Sequence, residues 1–203
     1  MSIECKSISK SFQNRRLFHD VSVVFPQGIC NCVIGENGTG KTTLLKIFAG
    51  LIKADSGTII MKGNCTYAGS NPYMLRGTVF ENINYPLTLK RQGGKSNESQ
   101  VNEMIDRLGL NKQKYQEACT LSAGEKQKVV LGRALVWNPD VLLLDEPTTN
   151  IDQKMIASVE ELLIEYANDS SHTFVVVSHD YEQIKRFSGL QWHLADQQLE
   201  KKS

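Results

Sequence analysis

The sequence predicts an α/β protein with a mostly parallel core sheet, an N-terminal antiparallel β lobe ahead of it, and a helical lobe inserted in the middle. Three observations carry this. An apolar run at 29–34 leads through a glycine-rich turn into a helix pattern; the last third alternates buried apolar runs with helical periodicity; the middle, 79–115, is polar and helical. A chain of 203 residues fits one domain or a compact two-lobed unit that buries roughly 70% of its unfolded surface. We expect a single domain over 1–203, with the helical lobe at about 71–122.

In order, the runs at 3–8 and 21–25 alternate with period two and read as antiparallel strands, and Pro26, Gln27 and Gly28 form the turn into the strand at 29–34. A helix follows over 41–49, closed by Gly50. Strands are expected at 58–61 and 65–68. Val101, Met104, Ile105 and Leu108 fall on one helical face, Gly109 ends that helix, and 91–99 reads as an exposed loop. A helix at 125–136 leads to the apolar strand 141–144, followed by a helix carrying Met155, Val159, Leu162, Leu163 and Tyr166, and then the strand 173–177. Alternation of this kind implies parallel strands joined by right-handed crossovers.

The chain carries 23 Lys and Arg against 22 Asp and Glu, a net charge of +1. No net field therefore draws it to nucleic acid, and we expect no nucleic-acid partner. No segment approaches the roughly 20 apolar residues that cross a bilayer, so a cytoplasmic protein is expected. The 5 cysteines are odd in number, and Cys30 and Cys32 alternate along a strand without zinc or redox spacing, so reduced thiols are expected.

Gly35, Glu36, Asn37, Gly38, Thr39, Gly40, Lys41 and Thr42 match G-x-x-x-x-G-K-[ST] between an apolar strand and a helix, the context the pattern requires. Glycines let successive N–H groups converge on phosphate oxygens, and the helix N-terminus adds partial positive charge. The pattern resembles the loop of P-loop NTPases and alone implies a nucleoside triphosphate and no more, since kinases, GTPases and many ATPases share it. Lys41 is expected to reach the β- and γ-phosphates, Thr42 to offer its hydroxyl to Mg²⁺, and Thr43 to contact phosphate or cap the helix. The strand at 141–144 ends in two acids. Asp145 arrives beside the phosphate loop and is expected to hold the Mg²⁺ shell through water. Glu146 follows and is expected to accept a proton from attacking water.

Leu121, Ser122, Ala123, Gly124 and Glu125 precede a helix that runs into the acidic strand. With this motif the chain resembles the nucleotide-binding, ATPase subunit of an ATP-binding cassette (ABC) transporter, whose signature is usually written LSGGQ. The likeness covers nearly the whole chain. Thr149, Asn150, Ile151 and Asp152 resemble the D-loop, and Val177, Ser178 and His179 resemble the switch-histidine segment. Ser122 and Glu125 also form S-x-x-E, a helix capping box, and both readings can hold.

The resemblance implies a head-to-tail homodimer in which the signature helix of one copy completes the ATP site of the other. It further implies that Asp152 links the two sites, that His179 contacts the γ-phosphate and orients water, and that Phe12 stacks on adenine. Two departures stand out. Ser70 occupies the position where the family has a Mg²⁺-sensing Gln, and a hydroxyl is too short for that direct contact, so water or Asn71 substitutes. In the signature, Ala123 adds a methyl and Glu125 an acid, which the capping box turns back toward its own helix.

By this resemblance the chain hydrolyses ATP to power solute movement through separate integral membrane permease subunits, sitting at the inner face of the cell membrane. The groove for those subunits lies in the helical lobe near 71–115. The stretches 75–83 and 85–87 resemble small-solute import cassettes, including those for tungstate-like oxyanions. The alternative is a non-transport member that uses ATP-dependent dimerisation as a switch in a regulatory or assembly complex. An unrelated kinase or GTPase is disfavoured by the signature and by the lack of an Asn-Lys-x-Asp run.

Overall fold

The computed structural model describes residues 3–13, 15–89 and 95–202. The chain divides into two compact units. The first takes its described residues from Met1–Tyr67, Pro139–Glu146 and Ile164–Ser203, the second from Ala68–Asn138 and Pro147–Leu163.

The first unit opens with β1 (Ile3–Phe12) and β2 (Arg15–Phe25), followed by β3 (Cys30–Ile34), α1 (Lys41–Phe48), β4 (Ser56–Met61) and β5 (Cys65–Ala68). Strands β2, β1 and β4 form an antiparallel sheet in that order, with Ile3 opposite Phe25 on one side and Met61 on the other. Both outer strands run further than the apolar alternation alone indicated. Arg15 and Arg16 pair with Phe12 and Ser11 although they are exposed, so the ladder continues past the buried run.

The second sheet is ordered β5-β6-β7-β3-β8-β9 and contains β6 (Val141–Asp145), β7 (Thr173–Val177), β8 (Leu190–Ala195) and β9 (Gln198–Lys201). The pairs β6–β7, β7–β3 and β3–β8 are parallel, and β9 returns antiparallel along β8. Strands β3, β6 and β7 are buried throughout, as expected of parallel strands covered on both faces. The register puts Val33, Val177 and Asp145 in one row, since Val33 and Asp145 both pair with Val177. Whatever follows these residues therefore meets at one edge of the sheet.

The core of this unit lies among the antiparallel sheet, α1 and one face of the parallel sheet. Phe25 meets Phe48 edge-on at 5.6 Å and Trp192 at 5.2 Å, the geometry aromatic rings prefer. Asn31 is fully buried, and its amide donates to Phe174 O at 3.1 Å while accepting from the Trp192 indole at 3.2 Å, so β3 carries a satisfied polar group. Helix α1 is followed by its C-cap Ala49, behind which Gly50 turns left-handed (φ 71°) and donates to Ile47 O, a glycine close of the expected kind.

The second unit contains α2 (Val79–Leu89), α3 (Lys95–Arg107), two short 3₁₀ turns and α4 (Ala123–Leu135). Val101, Ile105 and Leu108 are buried along one face of α3 and its continuation, and Met104 is half-buried beside them. The expected loop over 91–99 is corrected in part. Positions 91–94 lie outside the described residues, but Lys95–Ser99 already belong to α3. No Gly or Pro follows Gly94 there, and Glu98 places negative charge in the first turn, where the helix dipole favours it.

Helix α5 (Gln153–Asn168) passes from the second unit into the first, where α6 (Tyr181–Phe187) follows β7. All 5 cysteines are free, as expected. Among the described residues no helix is long and apolar enough to cross a membrane.

Candidate active site

The turn from β3 to α1 needs glycine at two points. Gly35 sits at φ 156°, and a Cβ there would lie 2.4 Å from Leu194 O; Gly40, at φ 105°, would press a Cβ to 3.2 Å from Leu17. Helix α1 then begins with no side-chain cap and no acid in its first turn, so its leading N–H groups stay open to an anion. Lys41 is buried and lies back on the loop, donating to Gly35 O and Glu36 O at 2.8 Å each. Burial lowers its pKa, opposed by the Glu146 and Asp145 carboxylates. Thr39 closes the loop by donating its hydroxyl to Glu36 O at 3.0 Å.

At the end of β6, Asp145 is buried and accepts a hydrogen bond from the Thr42 hydroxyl at 2.8 Å on Oδ2. Two residues 103 positions apart in sequence thus form one oxygen cluster. A hydroxyl and a single carboxylate beside a phosphate-binding turn suit Mg²⁺, which takes hard oxygen ligands and binds through one or two carboxylates plus substrate phosphates. The same Oδ2 lies 3.4 Å from the Tyr67 hydroxyl. Burial first, and then the Asp145 carboxylate, push the Tyr67 phenol well above its ordinary pKa, so it remains a donor. Sequence reasoning missed Tyr67, because the pairing depends on β5 lying beside β6.

Glu146, the next residue, turns out of the strand in a left-handed conformation (φ 53°) while its N–H donates to Val177 O at 2.9 Å. Non-glycine residues in this region cost roughly 1 kcal/mol and cluster at functional sites. The turn brings Oε1 to 2.8 Å from His179 Nδ1, hydrogen-bond distance. Glu146 is largely shielded while His179 is 67% exposed, so the histidine presents an accessible ring beside a sheltered carboxylate. A cavity of about 360 Å³ opens alongside, lined by Gly35, Glu36, Asn37, Ser178, His179 and His193 among others.

Phe12 lies at the end of β1 with its ring 46% exposed and the Lys10 ammonium 5.0 Å from its centroid, leaving a face for a flat partner. Arg15 was also missed. It donates to Gly38 O at 2.8 Å and ties β2 to the tip of the phosphate loop.

The second unit holds the remaining candidates. Ser122 is the N-cap of α4 and forms a complete capping box with Glu125. The Glu125 carboxylate accepts from Ser122 N at 2.9 Å and Ser122 Oγ at 2.7 Å, and Gln113 donates to its other oxygen at 2.8 Å. These bonds, the Ser122 side chain first, hold the Glu125 carboxyl below its usual range. The acid is therefore turned onto its own helix. Ala123 is exposed, so its methyl meets no crowding within the chain; Gly124 is the tight position, where a Cβ would lie 2.4 Å from Asn150 O. Leu121 is buried beneath the turn. Asp152 accepts from Met155 N through Oδ1 at 3.2 Å, capping α5 from outside. Ser70 is half-buried in this unit, whereas the Thr42, Asp145 and Tyr67 oxygens belong to the first.

Comparison with known proteins bears on this arrangement. The sequence pattern of the ABC transporter family matches residues 18–149. The tungstate uptake system ATP-binding protein TupC of Peptoclostridium acidaminophilum is 33% identical, over 92% of this chain and 91% of that protein. The methionine import ATP-binding protein MetN of Protochlamydia amoebophila is 32% identical over 91% of this chain, which spans only 61% of MetN. Among solved structures, the ATP-binding cassette MJ0796, a dimer in a post-hydrolysis state with ADP and Pi, superposes with a TM-score of 0.89 at 22% identity, covering 99% of this chain and 98% of that one. The last likeness establishes the fold. The family pattern covers well over half of the chain, and a relative a third identical aligns along nearly the full length, so the chain belongs to the ABC transporter family as an ATP-binding, ATP-hydrolysing subunit.

Proposed function

We propose that the chain hydrolyses ATP at the strand ends of its first unit, that a second copy completes each site with its capped signature helix, and that the resulting opening and closing drives solute import through separate membrane subunits. The observation that carries the reading is the approach of Glu146 Oε1 to His179 Nδ1 at 2.8 Å, one residue beyond the 2.8 Å contact between Thr42 and Asp145.

Lys41 exchanges the two loop carbonyls it holds for β- and γ-phosphate oxygens, and the open N–H groups of α1 bind the same charge. Thr42 and Asp145 hold Mg²⁺, Asp145 through water; the ion, when bound, neutralises charge on the β- and γ-oxygens. Glu146 accepts the proton of the attacking water. His179 fixes that carboxylate and reaches the γ-phosphate, and Phe12 stacks on adenine. Ser122 and the N-terminus of α4 face the triphosphate bound by the partner copy, with Asp152 linking the two sites.

A small solute is the substrate class, and tungstate-like oxyanions are the specific candidate, since TupC, a relative matched over nine-tenths of both chains at 33% identity, is an uptake protein for that ion. The membrane partners dock on the second unit around 71–115, where Tyr73 and Tyr115 are each more than 70% exposed. The subunit then sits at the cytoplasmic face of the membrane. The import ATP-binding proteins among the relatives support transport and not the dimerisation-switch alternative. Glu146→Gln tests the reading: ATP binding is retained, while turnover falls by about 10²-fold or more, the usual weight of a general base. Turnover within a few-fold of the parent would remove Glu146 from the chemistry.

A further inference from the structure

We propose that Tyr67 is a positioning residue for the metal-binding carboxylate, its hydroxyl holding Asp145 from strand β5. The proposal rests on the reading of Thr42 and Asp145 as the Mg²⁺ ligands. Two hydroxyls converge on one oxygen: Thr42 Oγ1 donates to Asp145 Oδ2 at 2.8 Å, and Tyr67 Oη approaches the same atom at 3.4 Å. Their arrival from two separate elements is structural information, since α1 supplies one donor and β5 the other, and the acid they meet closes β6. An ionised carboxylate only accepts, and a phenol hydroxyl readily donates, so the pair is chemically matched.

The two donors differ in what they can do once a metal binds. Thr42 would offer an oxygen lone pair to the ion while its proton keeps the link to Asp145. Tyr67 is not a ligand on this account. Its ring packs against the apolar core of the first unit, which pins the phenol while the hydroxyl reaches the strand end. Tyr67 therefore helps to hold the carboxylate through Oδ2, and Oδ1 would be left to face the shell of a bound Mg²⁺. Partners behind a ligand typically contribute 10–100-fold to metal affinity or activity.

Ser70 gives the position added weight. Three residues beyond Tyr67, it offers only a short hydroxyl. In this chain the strand leading there supplies an oxygen contact to the metal-binding acid before Ser70 is reached.

The test uses the full chain and a fluorescent, non-hydrolysable ATP analogue, with affinity measured by anisotropy in EDTA and in saturating Mg²⁺. The ratio of the two affinities reports metal coupling without any turnover. Tyr67→Phe keeps the ring and its packing and removes one oxygen. The expected result is a ratio lowered by about 3–10-fold, the modest end for a partner behind a ligand because the contact is long, with EDTA affinity and melting temperature as in the parent. Asp145→Asn, run beside it, is expected to lose most of the ratio. A parental ratio in Tyr67→Phe together with a collapsed ratio in Asp145→Asn overturns the role of Tyr67 and leaves the Asp145 reading standing. A parental ratio in both overturns the underlying metal assignment. A loss seen in Tyr67→Met but not in Tyr67→Phe assigns the effect to packing and likewise overturns the hydroxyl's role.

Discussion

Glu146 illustrates how much one residue's backbone contributes to the site. Leaving β6 in a left-handed turn, it swings from the sheet toward His179, and the 2.8 Å contact depends on that turn. His179→Ala is expected to lower turnover by about 10²-fold through loss of the group that orients the carboxylate, with ATP binding reduced far less; steady-state assays alongside equilibrium nucleotide binding separate the two. At Ser70 the expectation runs the other way. Ser70→Gln should preserve or raise hydrolysis by restoring the family's amide, and a large loss would show that the residue is aligned to the wrong position. The signature offers a paired comparison. Gly124→Ala puts a Cβ 2.4 Å from the Asn150 carbonyl and forces the segment before Asp152 to shift, at an expected cost of about 1–3 kcal/mol. Ala123 is exposed, so enlarging it to Ser should change melting by less than half as much.

Among the elements, those carrying the phosphate loop and acids were legible because buried parallel strands write continuous apolar runs into the sequence. Val141 to Leu144 and Thr173 to Val177 needed no partner to be recognised, and the loop between β3 and α1 is fixed by glycine and lysine spacing. Helix α6 and strands β8 and β9 drew no expectation. Helix α6 is 7 residues long, too short to be stable alone, and depends on burying Ile184 and Phe187. Strand β8 mixes Gln191 and His193 with Trp192 and Leu194, and its role follows only from pairing with β3. Tyr67 and Arg15 went unseen for the same reason: each acts across strands that sequence spacing does not join. The start of α4 was readable in substance but set two residues late, since Ser122 itself is the cap.

The cap also gives α4 a pH dependence. Its bonds to Ser122 depress the Glu125 pKa, so the stabilisation is present above the unfolded-state value, about 4.3, and is lost as pH falls through the lower folded value. Thermal melts of Ser122→Ala against the parent are expected to differ by about 1 kcal/mol near neutrality and to narrow as the acid protonates, leaving the Ser122 Oγ bond to the Glu125 N–H. A difference that stayed constant to low pH would mean that Glu125 does not belong to the cap.

For the molecule as a whole, the two units divide the work. On the proposed account the first holds the phosphate loop, the oxygens of Thr42 and Asp145 that would take the metal, and the Glu146–His179 pair, and the second holds the capped helix α4. On the proposed account neither copy is a complete enzyme, because the anion site at Ser122 serves the nucleotide of its neighbour. Replacing Ser122 with Arg should therefore abolish turnover while each chain still binds ATP through its own loop. The most direct measurement is the mass in solution of Glu146→Gln with ATP and Mg²⁺, by light scattering with nucleotide counted in the same peak. The account predicts a dimer that retains two ATP molecules and returns to monomer when Ser122→Arg is added. A chain that stays monomeric with one ATP bound, at concentrations where the parent turns over fully, would contradict it.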